Sequence, residues 1–174
     1  MDKGYFQIYT GNGKGKTTSV LGLIVRAAGA GLKVYFGQFV KNSEYSEIKI
    51  LKKRFPEVTV EQFGGKDGCF INREPNTDDF NSADNGYRRA MEALKSHKYD
   101  IVILDEINIA LHYRIISEEQ AMSLVDERPE DVELIFTGRY APQKFIDRAD
   151  LVSEINDVKH YFNNGVEARD GIES

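Results

Sequence analysis

The sequence predicts an α/β fold over a single domain, residues 1–174, in which a mostly parallel sheet of about six strands carries helices on both faces. Three observations lead there. Short runs rich in Val, Ile and Phe alternate with longer stretches whose apolar residues recur at helical spacing. No internal repeat, low-complexity tract or linker interrupts that alternation. At 174 residues and 41% hydrophobic content, the chain is one domain long and can bury a substantial core.

The elements follow in order. YFQIYT (5–10) reads as the first strand, and a glycine-rich turn separates it from a helical stretch, KTTSVLGLIVRAAGAG (16–31). KVYFGQF (33–39) is the second strand, YSEIKILKKRF (45–55) a helix, and EVTVEQF (57–63) the third strand. After a long loop, DDFNSADNGYRRAMEALKSH (78–97) is helical and DIVILD (100–105) is an apolar strand. SEEQAMSLVDE (117–127) is a helix opened by Ser117, with Glu118, Glu119 and Gln120 in its first turn. VELIFT (132–137), a short helix APQKFIDRA (141–149) and DLVSEI (150–155) complete the alternation. In such sheets ligands sit beyond the carboxyl ends of the strands, so the turns that leave the strands are where chemistry is expected.

Composition removes several function classes. A net charge of -5 argues against broad binding to nucleic acid or to acidic membranes, since phosphate backbones are held by clustered Lys and Arg. The single cysteine, Cys69, excludes an internal disulfide and a multi-cysteine zinc site, which fits a reducing compartment. The opening MDKGYFQIYT has neither the apolar stretch of a signal peptide nor a long uncharged span, so a cytoplasmic location is expected.

The turn after the first strand reads TGNGKGKTT. It resembles the phosphate-gripping pattern G-x-x-x-x-G-K-[ST], except that Thr10 stands where the first glycine belongs and the glycine comes at Gly11. Backbone N–H groups of Gly11, Asn12, Gly13, Lys14 and Gly15 can curl around phosphate oxygens, and the helix that begins near Lys16 adds its positive dipole end. Lys16 supplies a cation, and Thr17, followed by Thr18, places a hydroxyl for Mg²⁺. At the tip of the fourth strand, Asp105 and Glu106 are the carboxylates a magnesium triphosphate requires, with Asp105 expected to act through water. Arg139, after the fifth strand, reads as a phosphate contact, with an ordinary turn arginine as the competing reading.

From Tyr9 nearly to the C-terminus the chain resembles the P-loop-type ATP:corrinoid adenosyltransferases. The resemblance lies in TGNGKGKTT, GQFVK (37–41), VILDEIN (102–108), FTGRYAP (136–142) and ADLVSEINDVKHYFNNGVEARDGIE (149–173), in that order, the last two being the most specific. It implies a P-loop NTPase (RecA-like) fold and transfer of the 5′-deoxyadenosyl group of ATP to the Co(I) centre of a corrinoid, with release of triphosphate. It also implies that the shortened loop holds ATP reversed, so that the ribose 5′ carbon is the reacting atom. Lys16, Thr17 and Glu106 would then carry catalysis by positioning and charge neutralisation. Mg²⁺, a homodimer and a flavoprotein reductant are implied as cofactor and partners, in adenosylcobalamin synthesis or salvage.

The resemblance places the loop Gly64–Asn76 against the corrin, with Cys69, Phe70 and Ile71 at its centre and Phe70 as apolar wall. Relatives carry two aromatics near this point, and an equally good reading is that Phe70 and Ile71 pin down a long loop. His97, His112 and His160 are scattered and read as surface or core residues, not cobalt ligands. Some relatives have an N-terminal helical segment over the active site; here the first strand begins at Tyr5, so closure is expected from the C-terminal stretch Asn156–Ser174. Two other functions fit the residues: a P-loop ATPase or small-molecule kinase with Glu106 orienting the nucleophile, and a non-catalytic carrier of ATP and corrinoid.

Overall fold

The computed structural model describes residues 2–66 and 73–173. Its elements are β1 (Phe6–Thr10), α1 (Lys16–Gly29), β2 (Val34–Phe39), α2 (Ser46–Arg54), β3 (Val58–Phe63), α3 (Thr77–Lys95), β4 (Ile101–Asp105), α4 (Ile107–His112), α5 (Glu118–Asp126), β5 (Glu133–Thr137), α6 (Gln143–Ile146) and β6 (Leu151–Glu154), followed by a 3₁₀ turn at Tyr161–Asn164. The six strands form one sheet in the order β3-β2-β4-β5-β1-β6, and every neighbouring pair is parallel. The phosphate loop therefore leaves an inner strand, between β5 and the edge strand β6.

Alternation along the strands builds two cores. Phe6, Ile8, Tyr35, Val102, Leu104, Leu134 and Phe136 pack with residues of α3, α4, α5 and α6 on one face. Val34, Phe36, Ile101, Ile103 and Ile135 pack with Val20, Ile24 and Ala27 of α1 and Ile48 and Leu51 of α2 on the other. β2, β4 and β5 are buried along their whole length, as strands covered on both faces must be. β6, with Leu151 and Val152 exposed, is not.

Each expected strand is present within a residue of its predicted bounds. Two elements lie outside the expectations. α4 has no capping side chain at Glu106, and its residues Ile107–Leu111 are buried all round, so it carries neither a cap nor an amphipathic stripe. The 3₁₀ turn is held locally, with His160 Nδ1 accepting the N–H of Phe162 at 3.0 Å. The last helix is shorter than the expected 141–149, because Pro142 sits at its N-cap and the chain turns out after Ile146.

Candidate active site

β1 delivers Thr10 to the sheet's carboxyl edge, and the loop Gly11–Gly15 then bends through two left-handed glycines, Gly11 at φ 94° and Gly15 at φ 125°. The glycine spacing has a steric cause. A Cβ on Gly11 would lie 2.3 Å from the carbonyl oxygen of Ile155, and one on Gly13 would lie 2.8 Å from the same atom. The chain leaving β6 runs directly against the loop: Gly13 N–H donates to Ile155 O at 2.7 Å, and Lys14 N–H donates to Asp157 Oδ1 at 3.1 Å. The displaced glycine is thus the one the tail requires.

α1 begins at Lys16 with no side-chain cap and no acidic residue in its first turn, so its first N–H groups are free of a side-chain acceptor and favour an anion. Lys16 is buried, and its Nζ donates to Gly13 O at 2.6 Å. Burial lowers its ammonium pKa, while Glu106 pulls the other way.

Asp105 is fully buried and saturated with donors. Thr137 Oγ1 donates to Oδ1 at 2.6 Å and Thr17 Oγ1 at 3.0 Å, while Gln38 Nε2 donates to Oδ2 at 3.0 Å. Gln62 Nε2 in turn donates to Gln38 Oε1 at 2.9 Å. Register explains the convergence, since Gln38 stands opposite both Gln62 and Asp105 in the sheet. Glu106 takes a left-handed backbone, φ 60°, and its N–H donates to Thr137 Oγ1 at 3.0 Å. Gly138 makes room for it, as a Cβ there would stand 3.2 Å from Glu106 Oε2.

Lys41 lies against both carboxylates, its Nζ 3.5 Å from Asp105 Oδ2 and 3.6 Å from Glu106 Oε1. Burial pushes the Glu106 carboxyl up, Asp105 adds to the rise, and Lys41, Lys16 and Arg139 oppose it. Burial would lower the Lys41 ammonium, but the two carboxylates outweigh it and hold its pKa above the ordinary lysine value.

A cleft of about 790 Å³ opens over these groups. Asn12, Gly13, Lys14, Gly15, Lys16, Thr17, Thr18, Glu106 and Arg139 line one side, while Gly11 is not in the lining and packs against Ile155. Asp105 lies beneath, reaching the cleft through Thr17. Cys69, Phe70 and Ile71 fall outside the described residues. The other side of the cleft is the tail, including Asp157, His160, Phe162, Ile172 and Glu173. Lys14 Nζ donates to Ile172 O at 2.9 Å, which fastens the far end of the tail to the loop. His112 is elsewhere, stacked on Tyr140 at 4.3 Å, and His97 occupies a left-handed turn. The sequence alone does not point to Lys41, Gln38 and Thr137, although Gln38 and Lys41 lie in GQFVK, and it points to the tail without its lining side chains.

The profile of the family described as ATP:corrinoid adenosyltransferase BtuR/CobO/CobP matches residues 2–174. The chain belongs to this family. Its relatives include a corrinoid adenosyltransferase of Pseudomonas aeruginosa, 32% identical over 99% of this chain and 84% of that one. One from Escherichia coli (strain K12) is 34% identical over 99% of this chain and 86% of that one. Corrinoid adenosyltransferase CobA of Salmonella typhimurium matches at the same identity and shares. ATP and a corrinoid are accordingly the substrates, and adenosyl transfer between them is the activity. Among solved structures, flagellar accessory protein FlaH of Methanocaldococcus jannaschii aligns with a TM-score of 0.59 at 13% identity, over 88% of this chain and 72% of that one. A KaiC-like protein of Pyrococcus horikoshii aligns at 0.57 and 17%, over the same shares. These two bear on the fold alone, and they bear out the expected RecA-like P-loop arrangement. No helix among the described residues is long and apolar enough to cross a membrane.

Proposed function

We propose that the cleft holds ATP by its triphosphate, reversed so that the ribose 5′ carbon faces the corrinoid, and that Lys16, Thr17 and Glu106 carry the reaction by neutralising and orienting the leaving group. The observation behind this reading is the uncapped start of α1 facing Glu106 across a Thr17 hydroxyl that is hydrogen-bonded to Asp105. Co(I) attacks the 5′ carbon in line with the carbon–oxygen bond. A cobalt–carbon bond forms, the 5′ carbon–oxygen bond breaks, and its electron pair leaves with intact triphosphate. No protein nucleophile or base takes part, so positioning and electrostatics are what this chain supplies.

The donor set suits Mg²⁺, being oxygen throughout: the Thr17 hydroxyl and Glu106, with Asp105 behind Thr17. Among the described residues no cluster of three His, Cys, Asp or Glu side chains exists here, which fits an ion that takes its remaining ligands from phosphates and water. When bound, Mg²⁺ would offset charge on the departing triphosphate. Lys16 and Arg139 hold the phosphate chain, the tail Asp157–Glu173 covers it, and a homodimer and an external reductant, a flavoprotein, complete the same reading.

Phosphorus NMR of a turnover mixture with chemically reduced cobalamin and MgATP tests it. Tripolyphosphate should be the first phosphorus-containing product and should itself inhibit, since it keeps the charge-assisted contacts of the ATP tail. ADP and inorganic phosphate rising in step with substrate loss, without tripolyphosphate, would overturn it in favour of hydrolysis.

A further inference from the structure

The stretch Gly37–Lys41 ends in a residue to which the reading above gives no part. β2 stops at Phe39, and Val40, buried at 2% exposure, turns left-handed with φ 67°. A β-branched residue adopts that conformation only when its surroundings enforce it. The turn sends Lys41 across the ends of β2 and β4, where its ammonium sits between Asp105 and Glu106 at 3.5 and 3.6 Å. Among the described residues it is the only cation in an ion pair with either carboxylate. The other donors to Asp105 are neutral: Thr17, Thr137 and Gln38.

A cation carried by the chain therefore stands beside Glu106, which would receive a divalent ion, and Asp105, which backs the Thr17 hydroxyl. Two carboxylates facing a hydroxyl attract such an ion with a net charge of minus two; with the ammonium in place the group's charge is halved, and its oxygens already have a partner. We propose that Lys41 is a positioning residue that makes metal loading conditional on ATP. It keeps Asp105 and Glu106 closed to a free divalent cation, and the ion enters only together with a triphosphate, whose oxygens supply the missing ligands and whose charge gives the ammonium a new partner. This rests on the metal site proposed above.

The test is binding of Mn²⁺, a spectroscopic substitute that shares the preference for oxygen ligands, followed by its electron paramagnetic resonance signal. Wild-type protein, Lys41→Met, Lys41→Gln, Lys41→Arg and Glu106→Gln are titrated without nucleotide and with a non-hydrolysable ATP analogue. Wild type should take up Mn²⁺ tightly only with the analogue, and Glu106→Gln should lose that uptake. Without nucleotide, Lys41→Met and Lys41→Gln should bind Mn²⁺ about tenfold or more tightly than wild type. Lys41→Arg, which keeps the charge, should stay as weak as wild type. A purely structural lysine would not produce that split between Met and Arg. Folded Met and Gln variants that bind free Mn²⁺ no better than wild type would overturn the proposal. Uptake with the analogue that survives Glu106→Gln would instead overturn the metal site itself, and the proposal with it.

Discussion

Gly13 donates its backbone N–H to the carbonyl of Ile155 at 2.7 Å, joining the middle of the phosphate loop to the chain that leaves β6. The two are also in steric contact, since a Cβ at position 13 would meet Ile155 O at 2.8 Å and the backbone of Asn156 and Asp157 at 2.9 Å. Only backbone lines this contact, so nothing can swing aside. Gly13→Ala should push the tail off the loop, cost about 1–3 kcal/mol of stability, as overpacking does, and weaken ATP binding at the same time. Thermal melts and ATP titration check it; an unshifted melt with normal affinity would show that the loop and tail are not coupled.

Lys16 behaves differently, because its ammonium donates to Gly13 O within its own loop. ATP must replace that carbonyl with phosphate oxygens. Lys16→Ala should leave the melting temperature within a degree or two while weakening ATP binding on the order of 10- to 100-fold, the range for a lost hydrogen bond to a charged group. Calorimetric titration of ATP into the folded variant measures it, and near-normal affinity would remove Lys16 from the site.

The comparison of sequence with structure turns on the range of the signal. β4 is legible because an apolar run reports its own burial, and Ser117 because its cap lies three residues from Gln120. The phosphate loop is legible because strand, glycines, Lys16 and Thr17 are contiguous. Lys41 is a lysine after a strand until β2 pairs with β4 and sets Gln38 opposite Asp105. Asp157 lies 143 residues from the Lys14 N–H it accepts. α4 escapes for a local reason, since it starts from a left-handed Glu106 that no propensity rule marks as a cap.

That left-handed Glu106 supports a further prediction. A non-glycine residue at φ 60° costs about 1 kcal/mol or more, which glycine would recover. Glu106→Gly and Glu106→Gln should both lose most of the metal-dependent turnover, and the glutamine variant should recover in part at high Mg²⁺. The glycine variant should nevertheless melt at or above the glutamine variant. If it melts clearly lower, the side chain contributes more through packing than the backbone strain costs.

Asp79 ties Arg73 and the backbone at Gly65 to the start of α3. Its carboxylate is buried, meets Arg73 Nη1 at 2.5 Å and accepts the N–H of Asn76 at 2.8 Å, capping α3. On the other flank a Cβ at Gly65 would stand 2.2 Å from Asp79 Oδ1, so the backbone there is moulded around this side chain. One carboxylate thus fixes both flanks of residues 67–72. Burial would raise its pKa, but Arg73 and the Asn76 N–H outweigh that and hold it below the ordinary aspartate value. A depressed folded pKa means stability that is fully present above the unfolded value, near 3.9, and is lost as pH falls through the folded value. Asp79→Asn should therefore cost about 3 kcal/mol at neutral pH, as removal of one partner from a buried pair does. The gap to wild type should close below about pH 4, because the asparagine does not titrate. Urea denaturation of both proteins at neutral pH and through the acid range measures it, and a gap that stays constant to pH 3 would refute the assignment.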